Sequence, residues 1–268
     1  MLTILFLGDI VGESGRSAVI ARLPALKREL NLDFIIVNGE NAAAGRGITP
    51  KITIDLLRAG VSVITSGDHI WDRKEIVPFI ATEPRLLRPL NYPPGAPGAG
   101  TIVLETPKGR VGVINVQART FMQPILENPF PMLDAAVNEM RLETSNIIVD
   151  AHGETTSEKI AIGRYLDGRV SAVLGTHTHV QTADEQVFEH GTAFICDAGM
   201  CGPIHSILGR EIGPILGRFI SNLPAAFPVA HGEARLRGVL VEIDETTGRA
   251  LSIRRVDEPG TSSEGAPA

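Results

Sequence analysis

The stretch Val170-Ser-Ala-Val-Leu-Gly-Thr-His-Thr-His179 joins an apolar run to two histidines. Residues 170–174 are typical of a strand that is buried on both faces. In extended backbone, His177 and His179 point to the same side, and at the carboxyl end of a strand they face the crevice where α/β sheets bind ligands. Neutral imidazole binds Zn, Fe and Mn. The pair is a candidate metal clamp, but two solvated loop histidines explain the isolated motif equally well.

Short apolar runs alternate with helical patterns over most of the chain. Buried strands are predicted at residues 2–7, 34–37, 61–65, 146–149 and 170–174, and the clearest helices at 16–30, 51–59 and 158–166. This alternation predicts βαβ units, an α/β fold and a largely parallel sheet. Hairpins are predicted at 101–105 with 110–116 and at 235–243 with 250–256, so the sheets should be mixed, and the Pro/Gly-rich residues 87–100 should form a loop.

Composition limits the classes of protein to which the chain can belong. The 268 residues are 43% hydrophobic and 21% charged, which is ordinary for a globular protein. No convincing linker divides the chain, so we expect one domain over residues 1–257 and a flexible tail over 258–268. The net charge of −6, without a Lys/Arg block, disfavours a broad surface for duplex nucleic acid. A small phosphorylated ligand and a homo-oligomer remain compatible with the sequence.

The cysteines and the N-terminus predict a cytoplasmic protein. Cys196 and Cys201 are the two cysteines of the chain, too few for a disulfide framework. The N-terminus begins directly with a strand pattern and lacks the basic segment of a signal peptide. No apolar run reaches the roughly 18 residues of a membrane span.

Polar residues follow each of the five predicted strands. They are Asp9, then Glu40 and Asn41, then Asp68 and His69, then Asp150, His152 and Glu154, and finally His177 and His179. Carboxylates gathered at one sheet edge would repel each other without cations. Three carboxylates, three imidazoles and one amide from this set suffice for two metal ions with five or six ligands each.

Five motifs carry a resemblance over nearly the whole chain. They are Gly8-Asp9-Ile10-Val11-Gly12, Asn38-Gly39-Glu40-Asn41-Ala42-Ala43, Gly67-Asp68-His69-Ile70-Trp71-Asp72, His152-Gly153-Glu154 and Gly175-Thr176-His177-Thr178-His179-Val180. Together they resemble the YmdB-type phosphodiesterase family of the calcineurin-like metallophosphoesterase superfamily. The resemblance implies a four-layer α/β/β/α sandwich, a binuclear centre of Fe or Mn with Zn as an alternative, and hydrolysis of small phosphodiesters such as 2′,3′-cAMP.

The resemblance also implies roles for individual residues. Metal 1 would be held by Asp9, Asn41 and His179, metal 2 by Asp68, His152 and His177, and both by a bridging Glu40. Water activated between the metals would attack phosphorus, and His69 would act as general acid for the leaving group. A core or supporting histidine is the alternative for His69.

Two positions depart from the wider pattern. The usual Asp-x-His is Asp9-Ile10-Val11 here, and Asn41 would replace the missing histidine. Asp68 stands where the family normally has Asn. Asp9, Glu40, Asp68 and a hydroxide carry four negative charges, which cancel the charge of two divalent ions. A neutral centre attracts an anionic substrate less than the +1 centre that Asn at position 68 would leave. We hypothesise that Asp68 favours an Fe(III)–M(II) pair; protonation of Asp68 or simply tighter metal binding are the alternatives.

Several residues near these motifs leave two interpretations open. Arg46 could clamp a phosphate or be an ordinary surface arginine. Asp72 or Glu154 could orient an imidazole, although a solvated carboxylate is the favoured interpretation. Trp71 is more typical of a packed indole than of a base-stacking platform. A metal role is not expected for His205, and His190 and His231 are expected to be exposed.

Two rival functions accompany the phosphodiesterase hypothesis. One is a phosphomonoesterase that uses the same metals. The other is a nucleotide- or RNA-binding regulator with weak activity, against which the complete ligand set argues.

Overall fold

The computed structural model describes residues 1–260. Its strands are β1 (Leu2–Leu7), β2 (Asp9–Ile10), β3 (Phe34–Asn38), β4 (Val63–Thr65), β5 (Thr101–Thr106), β6 (Gly109–Gln117), β7 (Ile147–His152), β8 (Ala172–Thr176), β9 (Gln186–Val187), β10 (Ala193–Ile195), β11 (Met200–Pro203), β12 (Ala234–Ile243) and β13 (Ala250–Pro259). The helices are α1 (Gly12–Glu29), α2 (Pro50–Arg58), α3 (Ile76–Ile80), α4 (Pro129–Met140), α5 (Thr156–Tyr165) and α6 (Ile212–Ser221).

The strands form two mixed sheets. One has the order β2-β11-β12-β1-β3-β4, with β13 paired to β12, and the other has the order β5-β6-β7-β8-β10-β9. The predicted parallel pairs are present in β1 with β3, β3 with β4, and β7 with β8. Both predicted hairpins are also present, as β5 with β6 and β12 with β13.

Three apolar clusters hold the layers together. The middle cluster joins the two sheets and contains Phe6, Ile36, Ile148 and Leu174. A second cluster lies between the first sheet and α1 to α3, and a third lies between the second sheet and α4 and α5. Because β1 is covered on both faces, all six of its residues are buried. The four-layer α/β/β/α sandwich is therefore confirmed.

Element ends differ from the sequence prediction in informative places. The strand predicted at 146–149 continues to His152, and the strand predicted at 170–174 continues to Thr176. The prediction of extended backbone through His177 and His179 is wrong, since both residues have positive φ, 103° and 64°. Thr49 caps α2, with Oγ1 accepting from the Ile52 amide at 3.2 Å and Pro50 in the first turn.

Strand β13 extends into the first residues of the predicted tail at 258–268. It ends at Pro259, and Gly260 donates to the Ala234 carbonyl. Residues 261–268 lie outside the described residues. Within residues 1–260, no helix combines the length and hydropathy required to span a membrane.

Candidate metal centre

The predicted site residues lie where strands of both sheets end. Asp9 is in β2, Glu40 and Asn41 follow β3, and Asp68 follows β4 in the first sheet. His152 is the last residue of β7, and His177 directly follows β8 in the second sheet. The sandwich therefore brings side chains from both sheets to one cleft, as open α/β sheets do at the carboxyl ends of strands.

Four of these residues form one compact group. Ligand atoms of Glu40, Asp68, His152 and His177 all lie within 4.8 Å of one another. His152 Nε2 lies 3.0 Å from Asp68 Oδ1 and 3.2 Å from Glu40 Oε2. His177 Nδ1 lies 3.4 Å from Asp68 Oδ1. Two imidazoles and two carboxylates at this spacing could hold a metal ion.

Hydrogen bonds on the outer side of each imidazole determine which of its nitrogens carries the proton in the neutral ring. The Thr176 hydroxyl donates to Asp150 at 2.6 Å, so it must accept from His152 Nδ1 at 2.9 Å. His177 Nε2 lies 3.1 Å from a Glu154 oxygen, which can only accept. When both imidazoles are neutral, the lone pairs of His152 Nε2 and His177 Nδ1 therefore face the carboxylates. Acceptors that face acceptors repel each other, and a bound cation would satisfy all four. Without a cation, burial acts to lower the pKa of His177, but Asp68 outweighs burial and raises it, which favours a proton on Nδ1.

A second group adjoins the first through Glu40. Glu40 Oε1 accepts from Asn41 Nδ2 at 2.7 Å, and Asn41 Nδ2 lies 3.4 Å from His179 Nε2. His179 Nδ1 donates to the Leu208 carbonyl at 3.1 Å, so its Nε2 is the free nitrogen. Asp9 Oδ2 accepts from a backbone amide, whereas Asp9 Oδ1 is buried without a hydrogen-bond partner. A buried carboxylate oxygen without a hydrogen-bond partner is suited to bind a cation.

The electrostatics of the protein alone are unfavourable here. Burial, with a contribution from Asp197, raises the pKa of Asp9 to about 7. Burial, followed by the charges of Asp68 and Asp9, raises the pKa of Glu40 well above its usual range. Burial lowers the pKa of His152 to about 4, which keeps its imidazole neutral. Cations would offset the carboxylate repulsion and bind the neutral imidazole.

Gly67 leaves room for the group. A Cβ at this position would lie 2.2 Å from His152 Nε2 and 2.3 Å from Glu40 Oε2. Any side chain would therefore enter the space between the candidate ligands.

A buried ion pair supports the loop that carries both histidines of the opening motif. Lys159 Nζ donates to Asp197 Oδ2 at 3.0 Å and to the Thr176 carbonyl at 3.3 Å. Asp197 Oδ2 also accepts from the Thr178 amide at 2.9 Å. Positive φ is costly for histidine, and this anchor lies between the two strained residues. Nothing in the local sequence pattern marks Lys159 as buried, so this pair was not predicted.

Asp150, which the sequence places among the strand-end residues without a role, has a supporting position. It lies between the sheets and accepts from Thr65 Oγ1 at 2.5 Å, Thr176 Oγ1 at 2.6 Å and Asn38 Nδ2 at 3.1 Å. Burial raises its pKa to about 7. Its i, i+2 relation to His152 in a strand was the available signal, because such residues share one face.

His69 lies at the edge of the group with two carboxylates. Its Nε2 is 3.6 Å from Asp68 Oδ2, and its Nδ1 is 3.2 Å from Asp72 Oδ2. Burial lowers the pKa of His69, and the charges of Asp68 and Asp72 oppose this effect. Asp72 and Glu154 are exposed, as the favoured interpretation of solvated carboxylates expects, and each also contacts an imidazole, Asp72 that of His69 and Glu154 that of His177.

Arg46 is exposed beside His69. Its Nε pairs with Asp72 Oδ2 at 2.8 Å, and its Nη2 lies 3.4 Å from His69 Nδ1. The loop around it is held, because Arg73 donates to the Arg46 and Ala43 carbonyls and Arg210 donates to the Gly45 carbonyl. Its use as a phosphate clamp stays a prediction.

The remaining singled-out residues lie outside the group. Trp71 packs against the core and makes an edge contact with Tyr92 at 5.7 Å between ring centroids, as predicted. His190, His205 and His231 are exposed.

With this geometry established, comparison with known proteins identifies the family. The model of the family described as YmdB-like protein matches residues 5–256. The chain belongs to the YmdB-like family. The family resemblance that the five sequence motifs carry is thereby confirmed.

Relatives of the YmdB-like family match over nearly their full length. A 2′,3′-cyclic-nucleotide 2′-phosphodiesterase of Bacillus subtilis is 48% identical over 255 residues, covering 95% of this chain and 96% of the relative. A crystal structure of a hypothetical protein from Thermus thermophilus is 40% identical with a TM-score of 0.90, covering 97% of this chain and 100% of that one. A crystal structure of a novel phosphatase from Mycoplasma pneumoniae is 34% identical with a TM-score of 0.89, covering 97% and 95%.

Proposed function

We propose that this chain is a metal-dependent phosphodiesterase that hydrolyses small phosphodiesters, with 2′,3′-cyclic nucleotides as the substrate class. The observation that carries the proposal is the convergence of His152 Nε2, His177 Nδ1 and the Glu40 and Asp68 carboxylates, four potential metal ligands within 4.8 Å of one another. The Bacillus subtilis relative supports the substrate class. The cytoplasmic location and the single domain over residues 1–257 stay predictions.

The donor set supports two metal ions. Asp68, His152 and His177 would hold one, Asp9, Asn41 and His179 would hold the other, and Glu40 would bridge them. Asn41 would use its amide oxygen, because the amide nitrogen has no free lone pair. Mixed imidazole and carboxylate ligands favour Fe or Mn, with Zn as an alternative. Such ions lower the pKa of water and stabilise negative charge on phosphoryl oxygens.

Asp68 adds a negative charge that an asparagine would not. Burial acts to raise the pKa of Asp68, but the adjacent imidazoles of His152 and His177 outweigh burial and lower it. Asp68 is therefore ionised, which disfavours the alternative of a protonated carboxyl. We propose that this charge favours an Fe(III)–M(II) pair.

Metal analysis and EPR of anaerobically purified protein test the role of Asp68. The expected result is a mixed-valence iron signal in the wild type, and its loss or shift toward two divalent ions in Asp68→Asn. A fully active wild type that holds two divalent ions would contradict the role. Asp134→Asn is the matched control, since that carboxylate pairs with Arg169 far from the centre and should leave the signal unchanged.

His69 is proposed as general acid. Its lowered pKa makes the imidazolium a stronger acid, although a smaller fraction carries the proton at neutral pH. Asp72, which lies against Nδ1, would leave Nε2 free to give its proton to the leaving alkoxide. Arg46, which shares Asp72 with His69, would bind a phosphate oxygen of the substrate.

Substitution of His69 by alanine tests this function. Turnover of 2′,3′-cAMP should fall about 100- to 10,000-fold, the usual range for loss of a general acid. Turnover of bis-p-nitrophenyl phosphate should fall much less, because p-nitrophenolate leaves without a proton. Metal content should remain that of the wild type.

Two outcomes separate the rival interpretations. Equal losses on both substrates would show that His69 is not the acid, and purified protein without metal after reconstitution would overturn the function itself. Faster turnover of p-nitrophenyl phosphate than of the diester would indicate a phosphomonoesterase. His190→Ala serves as control, since His190 is exposed and outside the centre.

A further inference from the structure

The loop after β6 presents a phenylalanine ring to solvent from a strained backbone. Phe121 is 86% exposed, and its φ of 61° lies in the left-handed region. A single exposed apolar side chain is common on protein surfaces and by itself indicates nothing. A bulky side chain at positive φ is an outlier, and strain of this kind is concentrated at sites that bind ligands. The combination points to a function for the exposed ring.

The residues on both sides of Phe121 hold this conformation. The amides of Arg119 and Thr120 donate to the Glu158 carboxylate, at 3.0 Å and 2.8 Å. After Phe121, Met122 is buried, and its amide donates to the Arg119 carbonyl at 3.2 Å. The backbone is therefore fixed, while the ring between these anchors stays outside the core. An aromatic ring on a fixed backbone loses little conformational entropy when a ligand binds to it.

The loop begins beside the candidate metal centre. Strand β6 pairs in parallel with β7, and Gln117 lies opposite His152 in the register. The Ala118 amide donates to the His152 carbonyl at 2.8 Å. Because His152 is a candidate ligand, the loop leaves the sheet next to the centre. Three residues of chain span at most about 11 Å, which keeps Phe121 near this edge of the sheet.

The loop returns to the core beside the other half of the centre. Leu126 belongs to the same apolar cluster as Tyr92, whose ring contacts Trp71. Trp71 follows the proposed general acid His69 by two residues. The loop therefore runs along the rim of the cleft, from the end of β7 to the segment that follows β4, with Phe121 between its two anchored ends.

We propose that Phe121 is the stacking platform for the nucleobase of the substrate, an inference that rests on the proposed hydrolysis of 2′,3′-cyclic nucleotides. The phosphate and the base are attached to different sides of one ribose ring. With the phosphate at the metal ions, the base extends away from them toward the rim. An aromatic ring can stack on any base, because every base has a π face. Trp71 is not suited to this role, since its indole packs against the core.

A protein partner is the poorer occupant of this surface. Within residues 118–127, Ile125 is the other exposed large apolar side chain. Two such side chains expose far less than the roughly 800 Å² that each partner buries in a standard interface. A single planar base needs only one aromatic side chain on which to stack.

Steady-state kinetics of the metal-reconstituted enzyme with two cyclic phosphates test the proposal. One substrate is 2′,3′-cAMP, and the other is methyl riboside 2,3-cyclic phosphate, which has no base. In Phe121→Ala, KM for 2′,3′-cAMP should rise about 5- to 100-fold with kcat nearly unchanged, because stacking stabilises the bound substrate and the transition state alike. KM for the base-free substrate, already higher in the wild type, should not change. Phe121→Trp should restore a low KM for 2′,3′-cAMP.

Leu142→Ala is the matched control for loss of an exposed apolar side chain. Leu142 is 88% exposed and lies between α4 and the start of β7, the end of that strand opposite to His152. Both KM values should match those of the wild type. An unchanged KM for 2′,3′-cAMP in Phe121→Ala would overturn the proposal. Equal increases for both substrates would also overturn it, because the ring would then act on the centre and not on the base.

A fluorescence titration provides a readout that does not depend on turnover. The tryptophan introduced by Phe121→Trp should be quenched by 3′-AMP and not by ribose 3-phosphate, because only 3′-AMP carries a base. The wild type, whose single tryptophan is the packed Trp71, should show little quenching. A wild type that hydrolyses neither cyclic phosphate would overturn the proposed function. The titration would still decide the role of position 121, since equal responses to 3′-AMP and ribose 3-phosphate would exclude stacking.

Discussion

Replacing Glu40 with glutamine is expected to abolish metal binding and yet to stabilise the metal-free protein. Glu40 is buried against His152, and the nearby charges of Asp68 and Asp9 add to the cost of ionising it. Glutamine removes that cost but is a weak, neutral ligand. We expect the free energy of unfolding without metal to rise by about 1 to 3 kcal/mol. Phosphodiesterase activity should fall at least about 1,000-fold, beyond the 10- to 100-fold typical of groups that only orient a ligand.

The gain in stability should depend on pH in a defined direction. The pKa of Glu40 is raised in the folded state, so protonation of Glu40 contributes to the free energy of unfolding. This contribution is complete below the ordinary pKa of 4.5 and is lost as pH rises through the raised pKa. Metal-free wild type should therefore be more stable at pH 5 than at pH 8, and Glu40→Gln should lose less over that interval. Asp9 and Asp150, with pKa values raised to about 7, retain part of the slope.

Urea unfolding in the presence of a chelator, at pH 5 and pH 8, measures both effects, and metal analysis measures the loss of binding. Glu189→Gln is the matched control, because Glu189 is exposed and should change neither stability nor metal content. Normal metal content in Glu40→Gln would show that Glu40 is not a ligand. A metal-free variant less stable than the wild type would show that its carboxylate is not strained by burial.

The candidate ligands were accessible to sequence reasoning because each follows a strand. Strand ends in a parallel sheet meet at one edge, so local pattern and fold class together place Asp9, Glu40 and Asp68 near one another. The resemblance then supplied what the pattern could not, namely the division of His177 and His179 between two groups.

The supporting residues were not accessible in the same way. Asp197 holds the Thr178 amide, between His177 and His179, from 19 residues further along the chain, and Lys159 reaches Asp197 from α5 across a layer boundary. In the sequence, Asp72 and Glu154 cannot be distinguished from carboxylates that contact only solvent. They contact imidazoles because of the geometry of their loops. Such contacts depend on tertiary placement, to which neither periodicity nor motif spacing is sensitive.

Replacing Lys159 with methionine is expected to be the most destabilising single change outside the centre. Lys159 and Asp197 are both fully buried, and removal of one partner leaves the other as an uncompensated charge. Breaking such a pair typically costs about 3 to 5 kcal/mol. The affinity for metal should fall as well, because Asp197 would no longer hold the Thr178 amide between the two histidines. Lys51→Met, which breaks the exposed Lys51–Asp55 pair, should cost under about 1 kcal/mol.

The double variant Lys159→Met/Asp197→Asn separates stability from positioning. Positions 159 and 197 then carry no charge, so most of the lost free energy of unfolding should return. Asp197 uses Oδ2 for the Thr178 amide and Oδ1 for the Gly199 amide, whereas asparagine has one oxygen and must leave one amide unpaired. The metal affinity of the double variant, measured by calorimetry, should therefore stay below that of the wild type. Its free energy of unfolding, measured with urea in the presence of a chelator, should be close to that of the wild type. Recovery of both quantities together would mean that the ion pair serves the core rather than the loop, and the positions of His177 and His179 would then require another cause.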